Sequence, residues 1–376
     1  MRICVISSTV FACPPPGYSG LEQLAWQQAE GLAKKGHLVA LIAPDGSKCD
    51  HASVIPTGPP GGWGEQQAYG GFKYKTGRKG KDAQGREVEE EITVPPYWPE
   101  LHKFDAIIDH SWNKWSYMLK AEGKLKAPVL GVCHAPVNTM YSSLPPVEKP
   151  CFVCISKDQA AHFEALFSPA TAKVAYNGID LDFYKPIEGV KRGGRFLFLA
   201  RFSTIKGPDL AIQACRQAGV GLDLVGDTSI TNEPEFLAEC KRMCDGLSTS
   251  DNKTQILLRG PANRGECVWW FSQAHCLLHP NQRFREPFGL APIEAMACGT
   301  PVICWDYGAM RETIKQYETG WLVKTTDELM FHIREVAQHG TKLRDRCREW
   351  AGQFSVQNMI DRYESLCQEA IEGGGW

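Results

Sequence analysis

The chain has 376 residues, which is enough for two domains with a hydrophobic core in each. Its formal net charge is −2 and its pI is about 6.6, so there is no global electrostatic reason to expect binding to nucleic acid or to a membrane. The longest apolar runs are strand-sized, and the N-terminal segment lacks the features of a signal peptide, so we expect a cytoplasmic protein with no integral membrane segment.

Strand and helix signals alternate along the first half of the chain. The run RICVISS predicts a strand, and a helix over about residues 20–35 follows, with apolar positions on one face and Gly36 as its end. HLVALIA predicts the next strand, and later strands are AIIDH from 106, PVLGVCH from 128, FVCIS from 152 and KVAYNG from 173. This alternation is typical of a parallel sheet covered by helices.

Residues 45–100 interrupt the alternation. They are rich in glycine and proline and carry a basic cluster followed by the acidic run EVEEE. Because a long segment without elements is usually functional or disordered, we expect a solvated loop, or alternatively a lid over an acceptor substrate. The basic cluster, which would also suit a nucleic acid acceptor, consists of Lys73, Lys75, Arg78, Lys79 and Lys81.

A predicted helix after the strand at 106 combines aromatic and basic side chains. Such a helix could bind a lipid surface or a phosphorylated acceptor, so a lipid acceptor and a peripheral membrane location are alternatives. Core packing of the aromatic residues with a solvated basic face is the simpler interpretation. The residues concerned are Trp112, Lys114, Trp115, Tyr117, Lys120, Lys124 and Lys126.

The fifteen cysteines form no framework of spacings, which favours reduced, mostly buried thiols. Cys151 and Cys154 match C-x-x-C, but they lie in a predicted strand, where residues three apart point to opposite faces. No second pair with zinc spacing accompanies them, so we predict no metal or redox site there.

A second series of elements follows a linker at LDFYKPIEGVKRGG. Its strands are RFLFLAR from 195, LDLVG from 222, QILLRG from 255, CLLHP from 276, PVICWD from 301 and GWLVK from 320. We therefore predict an α/β protein of two facing Rossmann-like, doubly wound domains. Open parallel sheets bind ligands beyond the carboxyl ends of their strands, so the ligand is expected in a cleft between the domains.

The stretch REPFGLAPIEAMACGTPVI, residues 285–303, places two glutamates eight positions apart. Pro292 suits the first turn of a helix and Gly299 its end, which predicts a helix over residues 291–298. Glu286 then lies on the loop before the helix and Glu294 lies in its first turns. Gly289 would let backbone N–H groups approach a ligand at the helix N-terminus.

The chemistry of this stretch suits a nucleotide sugar. A helix N-terminus attracts a phosphate, whereas an ionised carboxylate is an acceptor and suits sugar hydroxyls. Two alternatives remain open at this point. The glutamates could be solvated surface residues, or they could be the acid and the nucleophile of a glycosidase.

Two cations follow the strand RFLFLA. Arg201 offers a planar fork for phosphate oxygens and Lys206 offers a point charge, and both stand just before a predicted helix. Breaking the bond between a sugar and a nucleotide diphosphate builds negative charge on the leaving phosphate, which such groups stabilise. Ordinary surface charge is the alternative.

Together these motifs resemble the family 4 glycosyltransferases, which are retaining enzymes of GT-B fold. The most specific match is Glu286-Pro-Phe-Gly-Leu with Glu294-Ala-Met-Ala-Cys-Gly-Thr-Pro, set beside RFLFLARFSTIKGPDLAIQA. The family's glycine loop resembles PPPGYSGLEQLAWQQAEGLAKKGHLVALIAP, and its histidine-bearing strand end resembles GVCHAP. The entry into the linker resembles AYNGIDLDFYKP, and the final crossing helix resembles FSVQNMIDRYESLCQEAI. The implied domains are an acceptor-binding domain over 1–183, a nucleotide-sugar domain over 184–355 and a crossing helix over 356–376.

The resemblance implies roles for individual residues. Glu294 would hold the ribose hydroxyls, Glu286 would lie near the transferred sugar, and His134 would hydrogen-bond the sugar or the phosphate. The implied catalytic residues are Glu286, His134, Arg201 and Lys206. The implied donor-binding residues are Gly20, Arg201, Lys206, Gly260, Glu286, Phe288, Gly289, Leu290 and Glu294.

The resemblance also implies metal-independent transfer by front-side attack, with a nucleotide sugar, most simply a UDP-sugar, as co-substrate and an unidentified acceptor. Asp180-Leu-Asp182 resembles the metal-binding D-x-D of a different fold, but it lies in the linker, so we assign it no metal. The sequence departs from the family at Tyr18-Ser19-Gly20, at Ala200 and at Gly308-Ala309, where glycines are usual. These departures bear on donor phosphate contacts and on acceptor choice.

Two other functions fit the same motifs. A nucleotide-sugar 2-epimerase of similar architecture would convert the donor without an acceptor. A catalytically weakened sugar-nucleotide binding protein would bind the donor without turnover, although the retained Arg201, Lys206, Glu286 and Glu294 argue against it.

Overall fold

The computed structural model describes residues 1–17, 19–61, 72–81, 85–94, 97–112, 114–137, 151–167, 170–227, 233–244, 254–340, 342–373 and 375–376. The chain divides into two compact units. Unit 1 comprises Met1–Ile155, Ala160–Ala175 and Ile360–Trp376, and unit 2 comprises Ser156–Gln159 and Tyr176–Met359. Within the described segments, no helix has both the length and the apolarity needed to cross a membrane.

Unit 1 is built on a seven-stranded parallel sheet of order β3-β2-β1-β6-β7-β8-β9. Its strands β1, β2, β6 and β7 are nearly continuous apolar runs because both faces of a parallel sheet are covered. The elements up to residue 174 are β1 (Arg2–Ile6), α1 (Gly20–Lys34), β2 (Leu38–Ala43), β3 (Ser53–Pro56), β4 (Phe72–Lys81), β5 (Glu87–Val94), a 3-10 helix (Trp98–Lys103), β6 (Ala106–Asp109), α2 (Trp115–Ala121), β7 (Val129–Cys133), β8 (Cys151–Cys154), α3 (Lys157–Phe167) and β9 (Ala172–Val174).

Unit 2 is built on a six-stranded parallel sheet of order β12-β11-β10-β13-β14-β15. Its central strand, β10, is buried along its whole length. The remaining elements are β10 (Phe196–Leu199), α4 (Pro208–Ala218), β11 (Leu222–Val225), α5 (Pro234–Met243), β12 (Ile256–Gly260), α6 (Arg264–Gln273), β13 (Cys276–His279), α7 (Leu290–Ala297), β14 (Val302–Trp305), α8 (Met310–Thr313), β15 (Gly320–Val323), α9 (Thr326–His339), α10 (Arg344–Ala351), a 3-10 helix (Gly352–Phe354) and α11 (Val356–Gly373).

The predicted fold class is confirmed. The predicted strands from β6 to β15 are also present, although their exact ends differ. The helix expected over residues 291–298 is α7, which begins and ends one residue earlier, at Leu290 and Ala297. The final helix α11 contributes its last residues, from Ile360, to unit 1.

The expectation of a loop over residues 45–100 is wrong for much of that segment. Strand β3 adds to the edge of the unit 1 sheet, and β4 pairs with β5 as an antiparallel ribbon. The register sets Lys75 opposite Glu91, Lys79 opposite Glu89 and Lys81 opposite Glu87. A basic run and an acidic run thus form the two paired strands. Residues 62–71 and 82–84 lie outside the described residues.

Of the aromatic and basic residues considered for a binding face, Tyr117 and Lys114 are buried, whereas Lys126 is exposed. Tyr117 in α2 is buried and packs 4.9 Å from the ring of Phe152 in β8. Lys114 is also buried and donates to the backbone carbonyl of Asp109 at 3.2 Å. Core packing therefore describes Tyr117 and Lys114, and binding of a lipid surface or a phosphorylated acceptor by this segment stays a prediction.

Candidate functional site

The two sheets share one topological feature that positions polar residues. In unit 2 the strand order reverses between β10 and β13, and in unit 1 it reverses between β1 and β6. Ligands of open parallel sheets bind beyond the carboxyl ends of the strands at such a reversal. Lys206 follows β10 and Glu286 follows β13, so the unit 2 reversal carries a cation and a carboxylate.

These residues form a compact group, which we call the Glu286 cluster and define as Lys206, His279, Asn281 and Glu286. Lys206 Nζ lies 2.5 Å from Glu286 Oε2, and Asn281 Nδ2 donates to the same oxygen at 3.0 Å. His279 Nε2 lies 3.5 Å from it, which is long for a hydrogen bond. Both hydrogen bonds therefore go to Oε2, and Oε1 has no partner among the described residues.

The cluster is buried and its charges are set by its own members. Burial by itself raises the pKa of Glu286, but the Lys206 ammonium and the His279 imidazole outweigh it and hold that pKa well below its usual range. Burial lowers the pKa of His279, against a smaller opposing effect of Glu286. At neutral pH the cluster therefore holds an ionised carboxylate, an ammonium group and a neutral imidazole.

Glycines fix the backbone around Glu286. A Cβ on Gly308, whose φ is +65°, would lie 2.7 Å from the carbonyl oxygen of Glu286. The next residue, Ala309, donates its backbone N–H to that carbonyl at 3.0 Å. Gly289 has φ +84°, and a Cβ there would lie 2.6 Å from Met310 Cε. Glycine is required at Gly308 by the backbone contact and the positive φ, and at Gly289 by the positive φ.

Arg201 and Lys206 lie in the tight connection between β10 and α4. Gly207 has φ +71°, and a Cβ there would lie 2.8 Å from the carbonyl oxygen of Pro280, so this connection packs against the segment that leads to Glu286. The guanidinium of Arg201 is partly buried, and no described residue hydrogen-bonds or pairs with it. It is thus a cation available to an anionic ligand.

Glu294 has different neighbours. It is buried in α7, and its carboxylate lies near the hydroxyl of Tyr184. Burial raises the pKa of Tyr184, and Glu294 raises it further, whereas Arg264 at the start of α6 lowers it. The guanidinium of Arg264 lies over the ring of Phe183 at 4.4 Å. The two glutamates of the motif therefore serve two separate groups of side chains.

Three other predicted donor-binding residues offer backbone more than side chain. Phe288 is fully buried, with its ring 6.0 Å from Tyr176 and 5.8 Å from Phe354, so its side chain belongs to the core. Leu290 is the first residue of α7. Gly260 ends β12 with φ +81° and open space at its Cβ position.

His134 follows β7 in unit 1 and is part of a second group, the His134 cluster, which we define as Gln28, His110, Lys114 and His134. His110 Nδ1 lies 2.8 Å from His134 Nε2, and His110 Nε2 lies 2.7 Å from Gln28 Oε1. Burial, and to a smaller extent Lys114, lowers the pKa of His134 to about 3, and burial likewise lowers that of His110.

Gly20 is the first residue of α1, but a buried carboxylate stands beside it. Glu22 in the first turn accepts hydrogen bonds from the hydroxyls of Ser8 and Ser19. A carboxylate at a helix N-terminus offsets the positive end of the helix dipole, which weakens its attraction for a phosphate. Tyr18 of the same predicted loop lies outside the described residues.

Sequence reasoning missed His279, Asn281, Gln28 and His110. His279 and His110 stand at the ends of apolar strands, which is a signal that could have found them. Asn281 and Gln28 gave no comparable signal. Asp180, by contrast, has a local structural role, since its carboxylate accepts from the backbone N–H groups of Asp182 and Phe183 at 3.1 and 3.0 Å.

Two family models match adjoining parts of the chain. Glycosyltransferase Family 4 matches residues 18–183, and Glycosyl transferases group 1 matches residues 183–354. A D-inositol 3-phosphate glycosyltransferase 1 of Catenulispora acidiphila is 26% identical over 249 residues, which is 59% of this chain and 58% of that protein. The chain thus spans less than two thirds of the length of this curated relative.

Solved structures are similar over nearly the whole chain. AviGT4, a glycosyltransferase involved in avilamycin A biosynthesis, matches with a TM-score of 0.70 at 20% identity, over 99% of this chain and 98% of that one. Anabaena Alr3699/HepE in complex with UDP-glucose matches with a TM-score of 0.69 at 17% identity, over 98% and 100%. Likeness at this level of identity shows the fold, which is GT-B.

Proposed function

This chain belongs to the family 4 glycosyltransferases, and we propose that it transfers a sugar from a UDP-sugar to an acceptor hydroxyl, with retention at the anomeric carbon and without a bound metal. The observation that carries the proposal is the Glu286 cluster, together with Arg201, which lies in the same connection between β10 and α4 as Lys206. An ionised carboxylate, a lysine and a guanidinium that has no partner among the described residues follow the two strands at which the unit 2 sheet reverses.

The cations suit the leaving group. When the bond between the anomeric carbon and the β-phosphate oxygen breaks, the diphosphate gains negative charge, and preorganised cations stabilise it. Arg201 supplies a guanidinium with no competing partner among the described residues, and Lys206 supplies an ammonium already oriented by Glu286. The N-terminus of α7, with Gly289 and Leu290, adds backbone N–H groups.

The two glutamates suit hydroxyls of the donor. Glu286 is ionised, and its Oε1 stays available because Lys206 and Asn281 both engage Oε2. It would accept a hydrogen bond from the transferred sugar. Glu294 would accept hydrogen bonds from the ribose, with Gly260 contributing backbone near the base.

The proposed reaction follows front-side attack. The bond from the anomeric carbon to the β-phosphate oxygen breaks, and the acceptor oxygen forms its bond on the same face. The proton of the acceptor hydroxyl passes to the departing phosphate. UDP is the expected nucleotide because HepE, a structural neighbour, has been solved with UDP-glucose, and D-inositol 3-phosphate is the first acceptor to test because curated relatives are named for it.

Isothermal titration calorimetry with UDP and UDP-glucose tests the donor site. Glu294→Gln should weaken the binding of both ligands about tenfold, because both carry ribose, which corresponds to roughly 1.4 kcal/mol. Glu286→Gln should weaken UDP-glucose relative to UDP, because only the former carries the transferred sugar. Glu100→Gln, which alters a carboxylate at an exposed ion pair, is the matched control and should change neither affinity.

Transfer itself is tested by NMR of UDP-glucose mixed with the protein and D-inositol 3-phosphate in the presence of EDTA. The expected product is an α-glucoside, which retains the configuration of the donor. Conversion of the donor to its 2-epimer without an acceptor would identify an isomerase instead. Absence of binding by UDP, GDP, ADP and dTDP sugars would overturn the donor site.

A further inference from the structure

We infer that Gln28 and His110 are positioning residues that hold His134 in the tautomer with its proton on Nε2, so that Nδ1 accepts a hydrogen bond from a sugar hydroxyl. The first part of this inference concerns unit 1 alone. The second part, the identity of the ligand group, rests on the proposed function.

The geometry comes from neighbouring elements of unit 1. His110 and His134 directly follow the paired strands β6 and β7, which brings their rings together with centroids 5.0 Å apart. Gln28 lies on α1 and is fully buried, and its Oε1 is 2.7 Å from His110 Nε2. The three side chains therefore form one hydrogen-bonded row, from Gln28 through His110 to His134.

Both imidazoles in this row are neutral at pH 7. His110 is 2% exposed, and burial is the main cause of its lowered pKa. The ammonium of Lys114, which is buried nearby, lowers the pKa of both histidines further. A neutral imidazole carries one proton, so one of its nitrogens donates a hydrogen bond and the other accepts.

The amide oxygen of Gln28 then sets the direction of the whole row. Oε1 is an acceptor, so His110 Nε2 must carry the proton and His110 Nδ1 must accept. His134 Nε2 is the atom that faces this acceptor, and it must therefore donate. His134 Nδ1 is left unprotonated, and it has no partner among the described residues.

The other side of the Gln28 amide faces Tyr363, whose hydroxyl can accept from an amide nitrogen or donate to an amide oxygen. With Oε1 towards His110, the amide nitrogen faces the hydroxyl of Tyr363, where a donor lowers the tyrosine pKa against the much larger effect of burial. Neither the Gln28 nitrogen nor the Tyr363 hydroxyl completes a hydrogen bond of good geometry with a described residue. The reverse orientation would place the amide oxygen at the tyrosine and would invert every donor and acceptor in the row.

The direction of the row decides which ligand group His134 can meet. An ionised diphosphate offers only acceptor oxygens, so it has nothing to donate to Nδ1. A sugar hydroxyl offers a proton. This distinguishes the two roles that the sequence left open for His134, the sugar and the phosphate, in favour of the sugar.

Nuclear magnetic resonance of protein labelled with ¹⁵N-histidine tests the first part without any variant. Couplings between ring protons and nitrogens identify which nitrogen of His134 is protonated. We expect a protonated Nε2 and an unprotonated Nδ1 at pH 7. A proton on Nδ1, or on both nitrogens, would overturn the inference whatever the protein's activity.

Variants then test the positioning role. Gln28→Leu and His110→Phe remove the acceptor in turn, and each should give a mixture of His134 tautomers. Each should also raise the Kd for UDP-glucose about tenfold, the cost of one hydrogen bond, and leave the Kd for UDP unchanged. Gln27→Leu is the matched control, since Gln27 is a buried glutamine on the same helix, and it should change neither the tautomer nor the affinity. A single Nε2–H tautomer that persists in both variants would show that Gln28 and His110 do not position the ring.

Ligand addition separates the two parts of the inference. UDP-glucose should shift the Nδ1 resonance of His134, whereas UDP alone should not. A shift with UDP alone would assign His134 to the nucleotide, and no shift with bound UDP-glucose would remove the hydroxyl from the inference. If calorimetry shows no binding of UDP-glucose, the proposed function fails, while the tautomer measurement still decides the role of Gln28 and His110.

Discussion

The Glu286 cluster and the His134 cluster occupy similar positions in two similar sheets, yet their charged groups are arranged differently. Each lies beyond the carboxyl ends of neighbouring strands, β10 and β13 in unit 2 and β6 and β7 in unit 1. The Glu286 cluster contains an ion pair, whereas the hydrogen-bonded row of the His134 cluster is neutral. The sheet topology thus determines where each cluster lies, and the side chains determine its charge.

The difference follows from what the lysine of each cluster bonds. Lys206 meets a carboxylate, and the pair keeps Glu286 ionised despite burial. Lys114 donates to the backbone carbonyls of Asp109 and Ser111, so its charge acts on the two histidines and keeps them neutral. The ammonium of Lys206 stabilises the carboxylate of Glu286, whereas the ammonium of Lys114 disfavours protonation of His110 and His134.

Lys206→Met gives the largest expected effect, because it leaves Glu286 as a buried carboxylate without a counter-charge. Loss of one partner of a buried pair costs roughly 3 to 5 kcal/mol of unfolding free energy. Chemical denaturation of the ligand-free protein measures this change. The double variant Lys206→Met with Glu286→Gln should recover much of the loss, because no charge then remains buried.

An exposed ion pair provides the control for this prediction. Lys103 and Glu100 lie 2.5 Å apart, with side chains 66% and 39% exposed. Lys103→Met should cost less than about 0.5 kcal/mol, since exposed pairs contribute little. An equal cost at Lys103 and Lys206 would mean that the Glu286 cluster is solvated, and the contrast between the clusters would fail.

Gly308→Ala should cost about 2 kcal/mol, because φ is +65° and the new Cβ would press on the backbone of Glu286. Gly36→Ala is the matched control. Gly36 also has positive φ, +91°, but a Cβ there has open space, so only the backbone cost of about 1 kcal/mol is expected. Thermal melting of both variants separates strain from steric contact, and a Gly308 variant no worse than the Gly36 variant would show that Glu286 tolerates displacement.

The pH dependence of stability distinguishes the neutral histidines of the His134 cluster from the ion pair of the Glu286 cluster. The pKa of His134 is about 3 when folded and roughly 6.5 when unfolded, so between these values the unfolded state binds the extra proton. The contribution of His134 to the free energy of unfolding is therefore fully present above about pH 6.5. It falls by about 1 kcal/mol per pH unit as the pH is lowered towards 3. His134→Gln should flatten the slope between pH 6.5 and 5 by that amount.

Glu286→Gln is the complementary variant. The pKa of Glu286 is lowered by folding, so its contribution is complete above the unfolded value of roughly 4.3 and is lost as the pH falls further. The slope between pH 6.5 and 5 should thus stay close to that of the unaltered protein. Denaturation curves at pH 5.0, 5.5, 6.0 and 6.5 test both variants, and a flattened slope in the Glu286 variant would contradict the assignment of charge.

The sequence predicted those parts of the molecule that follow from local pattern. Strands such as β10 and β13 are apolar runs, and α7 begins and ends near Pro292 and Gly299 as the residues require. Lys206 and Glu286 were predicted to serve one site because the motifs that contain them resemble those of the family 4 glycosyltransferases. Their direct ion pair was not, because 80 residues separate them in sequence and only the sheet order brings them together.

Other features depended on pairing that no local pattern shows. The ribbon of β4 and β5 has glycine at two positions of β4 and many charges, so it lacks the apolar alternation of a strand. In this ribbon a basic run and an acidic run align in register, and the register is a long-range pairing that the local pattern does not show. The row from Gln28 to His134 likewise joins α1, β6 and β7, which are distant in sequence.

Tyr363→Phe gives the smallest expected effect and tests whether the hydrogen-bonded row of the His134 cluster extends beyond Gln28. The hydroxyl of Tyr363 is buried beside Gln28 and completes no hydrogen bond of good geometry with a described residue. On folding it therefore loses its hydrogen bonds to water and gains none in exchange. Removing a buried hydroxyl without a partner is nearly neutral or slightly stabilising, within about 0.5 kcal/mol, and the His134 tautomer should stay the same. A loss above about 1 kcal/mol in thermal or chemical denaturation would show that Tyr363 bonds the Gln28 amide. The row would then begin on α11, and the final helix of the chain would help to set the proton on His134.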